Sequence, residues 1–170
     1  MDAIACPFTI AVDTREQRPW TFQGLRADAR QSHKPLNVQW EWVALAAGDY
    51  SIVGMETEVA IERKSLADLF GSVGSGHERF RREHERLAAY QFAAVVVEAG
   101  WSDVLFRPPG YSKVKPKVIF RTAMQWSVRY GVQWHLVGGR DANESRVLAE
   151  HAAYRLLSEY WKRKLENPTQ

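Results

Sequence analysis

One segment restricts this chain more than any other. The apolar run Val59-Ala60-Ile61 passes without a break into Glu62-Arg63-Lys64 and then into Ser65-Leu66-Ala67-Asp68. An apolar strand carries the charges at its end into a partly buried setting, and burying a charge is costly unless it is paired. Glu62 and Lys64 are two apart, so on a strand they project from the same face. Upstream, Gly48-Asp49-Tyr50 supplies a second acid, giving the pattern D-x12-E-x-K from Asp49 to Lys64. On adjacent strands that spacing gathers two carboxylates and an ammonium group at one spot. Two convergent carboxylates cannot both stay ionised unless a cation sits between them. Mg²⁺ suits such a place, because it takes one or two carboxylates and completes its shell with waters and substrate phosphates. Alone, E-x-K reads as a surface ion pair worth at most about 1 kcal/mol. The apolar flank, and the freedom of Gly48 to turn sharply or approach another backbone closely, shift the reading to a metal site with Lys64 beside the metal-bound water. Hydrolysis of a phosphodiester needs this arrangement, so a metal-dependent nuclease is expected.

The other elements follow from periodicity and punctuation. Residues 8–12 form an apolar strand ending in Asp13, and residues 17–35, with two prolines and a glycine, form a loop with one helical turn. Residues 38–43 alternate as a second strand, and residues 50–53 and 58–63 flank a turn at Gly54 as a hairpin. Ser65 caps a helix, with Asp68 in the acidic position of a capping box, and Leu66, Leu69, Phe70 and Val73 make its apolar stripe. A second helix spans 77–90. The wholly apolar strand 92–97 suits burial on both faces and ends in Glu98. A loop is expected over 101–117, a helix over 118–130, a strand over 132–137 and a last helix over about 143–164, with Ala149, Ala153, Leu156 and Tyr160 along one face. Strands first, then helices alternating with strands, predict an α/β sandwich with a mixed sheet. Functional residues in such sheets collect at strand ends, where Asp13, Asp49 and Glu62 all fall.

At 170 residues the chain suits a single domain over 1–170, its core about 8–163. Net charge is +3 with a pI near 9.1, a basic excess that permits a polyanionic partner without demanding one. A lone cysteine, Cys6, excludes an internal disulfide and fits a reducing compartment. The N-terminus lacks the basic flank of a secretory signal, and no apolar stretch approaches the ~18 residues of a membrane span. A soluble cytoplasmic protein is expected. Nothing reads as a nucleotide-binding P-loop. His77 and His84, two helical turns apart, do not make a zinc site with a single cysteine.

The segments also resemble a known family. Gly48, Asp49, Glu62, Arg63, Lys64 and Asp68 match every named position of the GD-x(n)-ERK-x3-D signature of XPF-type structure-specific endonucleases. Val12-Asp13-Thr14-Arg15-Glu16 is similar to the VDxRE segment that opens the domain in archaeal members, and Arg79-Phe80 and the run 92–98 match further landmarks. The resemblance implies a restriction-endonuclease-like PD-(D/E)XK core, a mixed central sheet flanked by helices. It implies Asp49 and Glu62 as ligands to Mg²⁺, with Mn²⁺ able to substitute and the Arg63 carbonyl as a third ligand. Lys64 would orient or help deprotonate the attacking water, and Asp13 and Glu16 would support the site. Asp68 would orient Lys64 or Arg63, the alternative being its helix-cap role. In-line attack would expel the 3′-oxygen and leave a 5′-phosphate. The implied activity is cleavage of branched, flap or junction DNA. The alternatives are a less specific nuclease of recombination or phage DNA processing, and a non-catalytic DNA-binding partner of the same fold. The family dimerises through this domain, so a homodimer or heterodimer is implied, with Trp126, Tyr130, Trp134, Tyr154, Tyr160 and Trp161 as candidates for the partner face or for the core. Members carry a tandem helix-hairpin-helix module after the domain, and some a helicase before it. This sequence shows neither, so a stand-alone bacterial or phage form is expected.

Two basic regions are candidates for DNA contact. On the second helix, Arg79 is expected to face the scissile phosphate or the metal-site carboxylates, with Phe80 anchoring the helix. Its neighbours read as a solvated face with pairs such as Arg79–Glu83. In residues 106–117, Arg107, Lys113, Lys115 and Lys117 are interleaved with Phe106 and Tyr111. That mixture can hold a phosphate backbone and stack on unpaired bases, or it is a charged solvent loop. The basic end of the last helix, 161–166, reads as frayed and favourable to the helix dipole.

Overall fold

Alternation along six strands divides the apolar residues of this chain between two faces of one sheet. The structure, a computed structural model, describes residues 2–167; residue 1 and residues 168–170 of the unit read over 1–170 lie outside the described residues. The strands are β1 (Ile4–Asp13), β2 (Leu36–Val43), β3 (Tyr50–Ile52), β4 (Val59–Lys64), β5 (Phe92–Val97) and β6 (Gln133–Leu136), in the order β2-β1-β3-β4-β5-β6. β3 is antiparallel to both β1 and β4, while the β1–β2, β4–β5 and β5–β6 pairs are parallel. The sheet is therefore mixed, and the hairpin at Gly54 forms as expected.

The helices are α1 (Leu66–Val73), α2 (His77–Leu87), α3 (Trp101–Phe106), α4 (Pro116–Tyr130) and α5 (Ala142–Glu166), with one 3-10 turn at Ala29–Gln31. Val59 and Ile61 of β4 and Ala94 and Val96 of β5 pack with Ala149, Ala153, Leu157 and Tyr160 of α5. Ala60 of β4 and Ala93, Val95 and Val97 of β5 pack with Leu69 and Phe70 of α1, Phe80 of α2 and Ile119 and Trp126 of α4. Each fully buried aliphatic or aromatic side chain contributes roughly 1.5–3 kcal/mol. Leu156, expected on the buried face of α5, is only partly buried, and its neighbour Leu157 takes the core position.

The helix ends follow their local chemistry. The Asp68 amide donates to Ser65 Oγ at 3.1 Å, so Ser65 is the N-cap. The Asp68 carboxylate accepts from Ser65 Oγ at 2.6 Å, closing the cap through the hydroxyl. α4 begins with Pro116 at its first turn and ends at Gly131, whose φ of +68° is the left-handed cap that glycine favours.

Three expectations are corrected. Residues 101–117 are not all loop, because α3 forms at their start. The Gly100 amide donates to Asp103 Oδ2 at 2.8 Å and Val104 is wholly buried, before Pro108 and Pro109 prevent continuation. α2 ends at Leu87, short of residue 90. The basic end of α5 is not frayed, because Lys162 pairs with Glu159 at 2.8 Å and Lys164 with Glu58 at 3.0 Å. Of the aromatics considered for a partner face, Trp126, Tyr154 and Tyr160 are buried core and Tyr130, Trp134 and Trp161 are partly buried. The large apolar side chains that do reach solvent include Phe120, Met124 and Val128 on α4. No helix among the described residues is long and apolar enough to cross a membrane.

Candidate active site

The site is assembled where β3 starts and β4 ends. Gly48 has φ +75°, and a Cβ there would lie 3.1 Å from the Ile61 carbonyl, so only glycine fits without displacement. The Gly48 amide donates to Glu83 Oε1 of α2 at 3.0 Å. The Asp49 amide donates to the Ile61 carbonyl at 2.8 Å, and the Arg63 amide donates to Asp49 Oδ2 at 2.7 Å. Main chain and side chain together fasten Asp49 to the open edge of β4, the edge that the Arg63 carbonyl shares by strand alternation.

Glu62 and Lys64 project from the opposite face to Arg63, toward α2. Glu62 is 7% exposed, and the Lys64 ammonium donates to its carboxylate while lying 5.1 Å from the centre of the Phe80 ring. Their burial rules out a weak surface pair. Burial, followed by repulsion from Glu62, pushes the Asp49 carboxyl well above the ordinary carboxylate range. Burial likewise raises Glu62, against the opposing pull of Lys64. For Lys64 burial alone would lower the pKa, but Glu62 and Asp49 outweigh it and hold the ammonium above its ordinary value.

This donor set fits a hard divalent ion. It holds a buried carboxylate, Glu62, a half-buried one, Asp49, that repels it, and a carbonyl on the same strand edge as Asp49, and Mg²⁺ characteristically uses one or two carboxylates with waters. Among the described residues no group of three or more His, Cys, Asp or Glu side chains could close around a metal, so an ion here would rest on the two carboxylates, the carbonyl and water. His84 stands in an aromatic box of Phe80, Trp126 and Trp134, away from any such group.

On the other face Arg63 organises a network. Its Nε donates to Glu98 Oε1 at 2.8 Å and its Nη2 to Glu98 Oε2 at 3.2 Å, while Nη1 lies 3.2 Å from Glu16 and the guanidinium covers Trp20 at 5.5 Å. Glu98 also accepts from Trp20 Nε1 at 2.8 Å and from Arg146 of α5 at 3.1 Å. Arg146 in turn donates to the Arg18 and Pro19 carbonyls. A cleft of about 580 Å³ opens above, lined by Asp13, Glu16, Asp49, Arg63, Asp68, Glu98 and Arg146 among others. Asp49 is in its wall, and Glu62 and Lys64 are not.

The remaining sequence-read residues are distributed as follows. Asp13 is buried and accepts from the Arg15 amide and guanidinium and from the Leu45 amide. Burial would raise its carboxyl, but these hydrogen bonds prevail and hold it below the usual range. Asp13 thus shapes the loop that presents Glu16. Asp68 caps α1 and makes no hydrogen bond to Lys64 or Arg63, although it lines the cleft. Arg79 is exposed and makes no ion pair to the site carboxylates, and the Arg79–Glu83 pair does not form. Glu83 binds Gly48 and Arg86 instead. Arg107, Lys113, Lys115 and Lys117 are exposed beyond α3. Sequence reasoning missed Glu83, Trp20 and Arg146 and gave Glu98 no role. Only Glu98 had a local signal, as an acid ending a buried strand.

The six-stranded mixed sheet with flanking helices, and an acidic site at a strand edge, define a restriction-endonuclease-like core. The ERCC4 domain profile matches residues 12–144, and the chain belongs to that family. Its fold is similar to that of XPF from Aeropyrum pernix, with a TM-score of 0.57 at 20% identity over 86% of this chain and 60% of that one. It is similar too to the XPF from Aeropyrum pernix solved in complex with DNA, with a TM-score of 0.55 at 21% identity over 87% and 66%. The chain therefore spans between 60% and 66% of the length of the structures it resembles. No curated protein matches it in sequence.

Proposed function

We propose that this chain is a divalent-metal-dependent endonuclease that hydrolyses phosphodiester bonds in branched, flap or junction DNA. One observation carries the proposal: Asp49 stands partly buried in the wall of a cleft and interacts electrostatically with the buried Glu62, whose carboxylate holds the Lys64 ammonium. Asp49, Glu62 and the Arg63 carbonyl would hold Mg²⁺ or Mn²⁺. The ion would supply Lewis acidity toward the phosphoryl oxygens and a more acidic bound water. Lys64, kept as an ammonium by its carboxylate neighbours, orients the entering water and offsets charge that develops on the phosphoryl group. Arg63 sets the geometry: its amide fixes Asp49 and its guanidinium ties β4 to Glu98 and Glu16. The exposed Arg79, and the cations of residues 106–117, contact phosphates away from the point of cleavage.

Flap, fork, nicked and plain duplex DNA, cut side by side with Mg²⁺, test the proposal. The expected result is preferential cutting of the branched substrates, lost in Asp49→Ala and Glu62→Ala while circular dichroism and DNA binding persist. Full residual cleavage by either variant overturns the assignment. Equal cutting of all four substrates by the wild type points to the less selective nuclease.

A further inference from the structure

The basic character of this chain is concentrated in one stretch. Residues 104–140 contain seven Lys and Arg and no Asp or Glu. Taking those seven from the 23 basic residues leaves 16 against 20 acidic ones, so the rest of the chain has a net charge of −4 beside +7 in this stretch. Four of the seven fall between the end of α3 and the first turn of α4. Lys113, Lys115 and Lys117 are exposed and make no ion pair among the described residues, and Arg107, paired only with Asp103 at 2.7 Å, is still 62% exposed in its side chain. Among these cations Phe106 is 80% and Tyr111 78% exposed, and neither ring meets another aromatic among the described residues. Large apolar rings left in water beside unpaired cations mark a surface that meets a ligand.

The fold puts this surface beside the cleft. α3 follows Gly100 directly after the carboxyl end of β5, where Glu98 lines the cleft. Val114, between Tyr111 and α4, packs against Gly74 at the end of α1: a Cβ on Gly74 would lie 2.7 Å from it. The other end of α1 brings Ser65 and Asp68 to the cleft wall, and eight helical residues span about 12 Å. The surface around Val114 therefore lies about one length of α1 from the cleft wall.

We infer that residues 106–117 form a binding platform for unpaired nucleotides, Phe106 and Tyr111 stacking on exposed bases and Arg107, Lys113, Lys115 and Lys117 holding the phosphates. The inference rests on the nuclease reading above for its setting and adds to it the class of strand recognised. Base faces are open to a ring only where the strand is unpaired, and such stacking is tolerant of sequence. A platform for duplex would need the cations alone.

The test is fluorescence polarisation with the full chain carrying Glu62→Gln, in EDTA, using oligo-dT of about 12 nucleotides and a duplex of equal length. Phe106→Ala with Tyr111→Ala is expected to weaken oligo-dT binding at least about 10-fold and duplex binding less than twofold. Both rings are exposed, so the melting temperature stays unchanged. Replacing Lys113, Lys115 and Lys117 by Gln is expected to reduce the slope of log affinity against log salt by about 2. Unaltered oligo-dT binding by the double aromatic variant overturns the platform, as does an equal loss on single strand and duplex. The measurement needs neither metal nor cleavage, so a platform that fails here leaves the nuclease reading standing. A chain that never cuts DNA leaves the platform standing if the stacking result holds.

Discussion

Gly48 shows how much of the site depends on one residue. Its left-handed φ disfavours any side chain, and a Cβ 3.1 Å from the Ile61 carbonyl would force a shift of the neighbouring strand. Gly48→Ala is therefore expected to cost about 1–2 kcal/mol from backbone conformation alone, a fall in melting temperature of roughly 2–8 °C for a chain of this size. It should also displace Asp49, so cleavage should fall further than stability does. Lys64→Ala is expected to lower kcat by about 10²–10³ with little change in DNA affinity; an unchanged kcat would make Lys64 purely structural. Asp49, Glu62 and Lys64 were legible in the sequence because strand alternation and a glycine-punctuated turn are local signals. Their supports were not. Arg63 and Glu98 are 35 residues apart, and Trp20 and Glu98 are 78 apart. Nothing near any of them announces the pairing.

At the scale of elements, β4 separates two tasks. Its even-numbered charges, Glu62 and Lys64, face α2, and Arg63 faces Glu98 and Trp20. Arg63→Ala would leave the half-buried Glu98 with Arg146 and Trp20 Nε1 as its remaining partners, and losing the forked charged contact is expected to cost about 1.5–3 kcal/mol. Arg63→Lys should restore little, since an ammonium cannot reproduce the forked contact. Equilibrium urea unfolding of both variants checks this. α2 carries a second prediction. His84 is wholly buried, and its Nε2, the Tyr130 hydroxyl and Trp134 Nε1 are buried without hydrogen-bond partners among the described residues. Burial first, and Lys64 nearby, lower the imidazole to about 4 against the pull of the Phe80 carbonyl and Glu83. Above pH 6.5 the ring is neutral in both folded and unfolded chains. As pH falls below that, the unfolded chain takes up a proton that the folded one refuses until about pH 4, so stability declines across this window. The loss amounts to at most about 3 kcal/mol. Urea midpoints at pH 7 and pH 4.5 should differ less in His84→Phe than in the wild type; equal differences would show that His84 titrates normally. The periodic elements were read to within a few residues. α3 was missed because six residues hold under two helical turns, too few for a periodic signal, and only the Gly100–Asp103 cap marks it.

Across the whole molecule, the sheet was legible from its apolar runs, and the mixed topology followed from strands preceding the helix–strand alternation. The placement of α5 was not legible in the same way, since it buries Leu157 and not Leu156, and the spacing alone fits either. The division of charge is a property of the whole chain: an acidic body holds the cleft and an acid-free stretch flanks it, although the net charge is only +3. A chain so divided should bind nucleic acid in a strongly salt-dependent way despite its modest net charge. The central claim is that Asp49 and Glu62 share a divalent ion beside Lys64. Calorimetric titration of Mn²⁺ into the wild type, Asp49→Asn and Glu62→Gln, with flap cleavage followed in the same samples, tests it most directly. The wild type should bind Mn²⁺ saturably. Both variants should lose that binding and at least about 1,000-fold in cleavage rate, the equivalent of some 4 kcal/mol. Undiminished Mn²⁺ binding and cleavage in both variants would contradict the account.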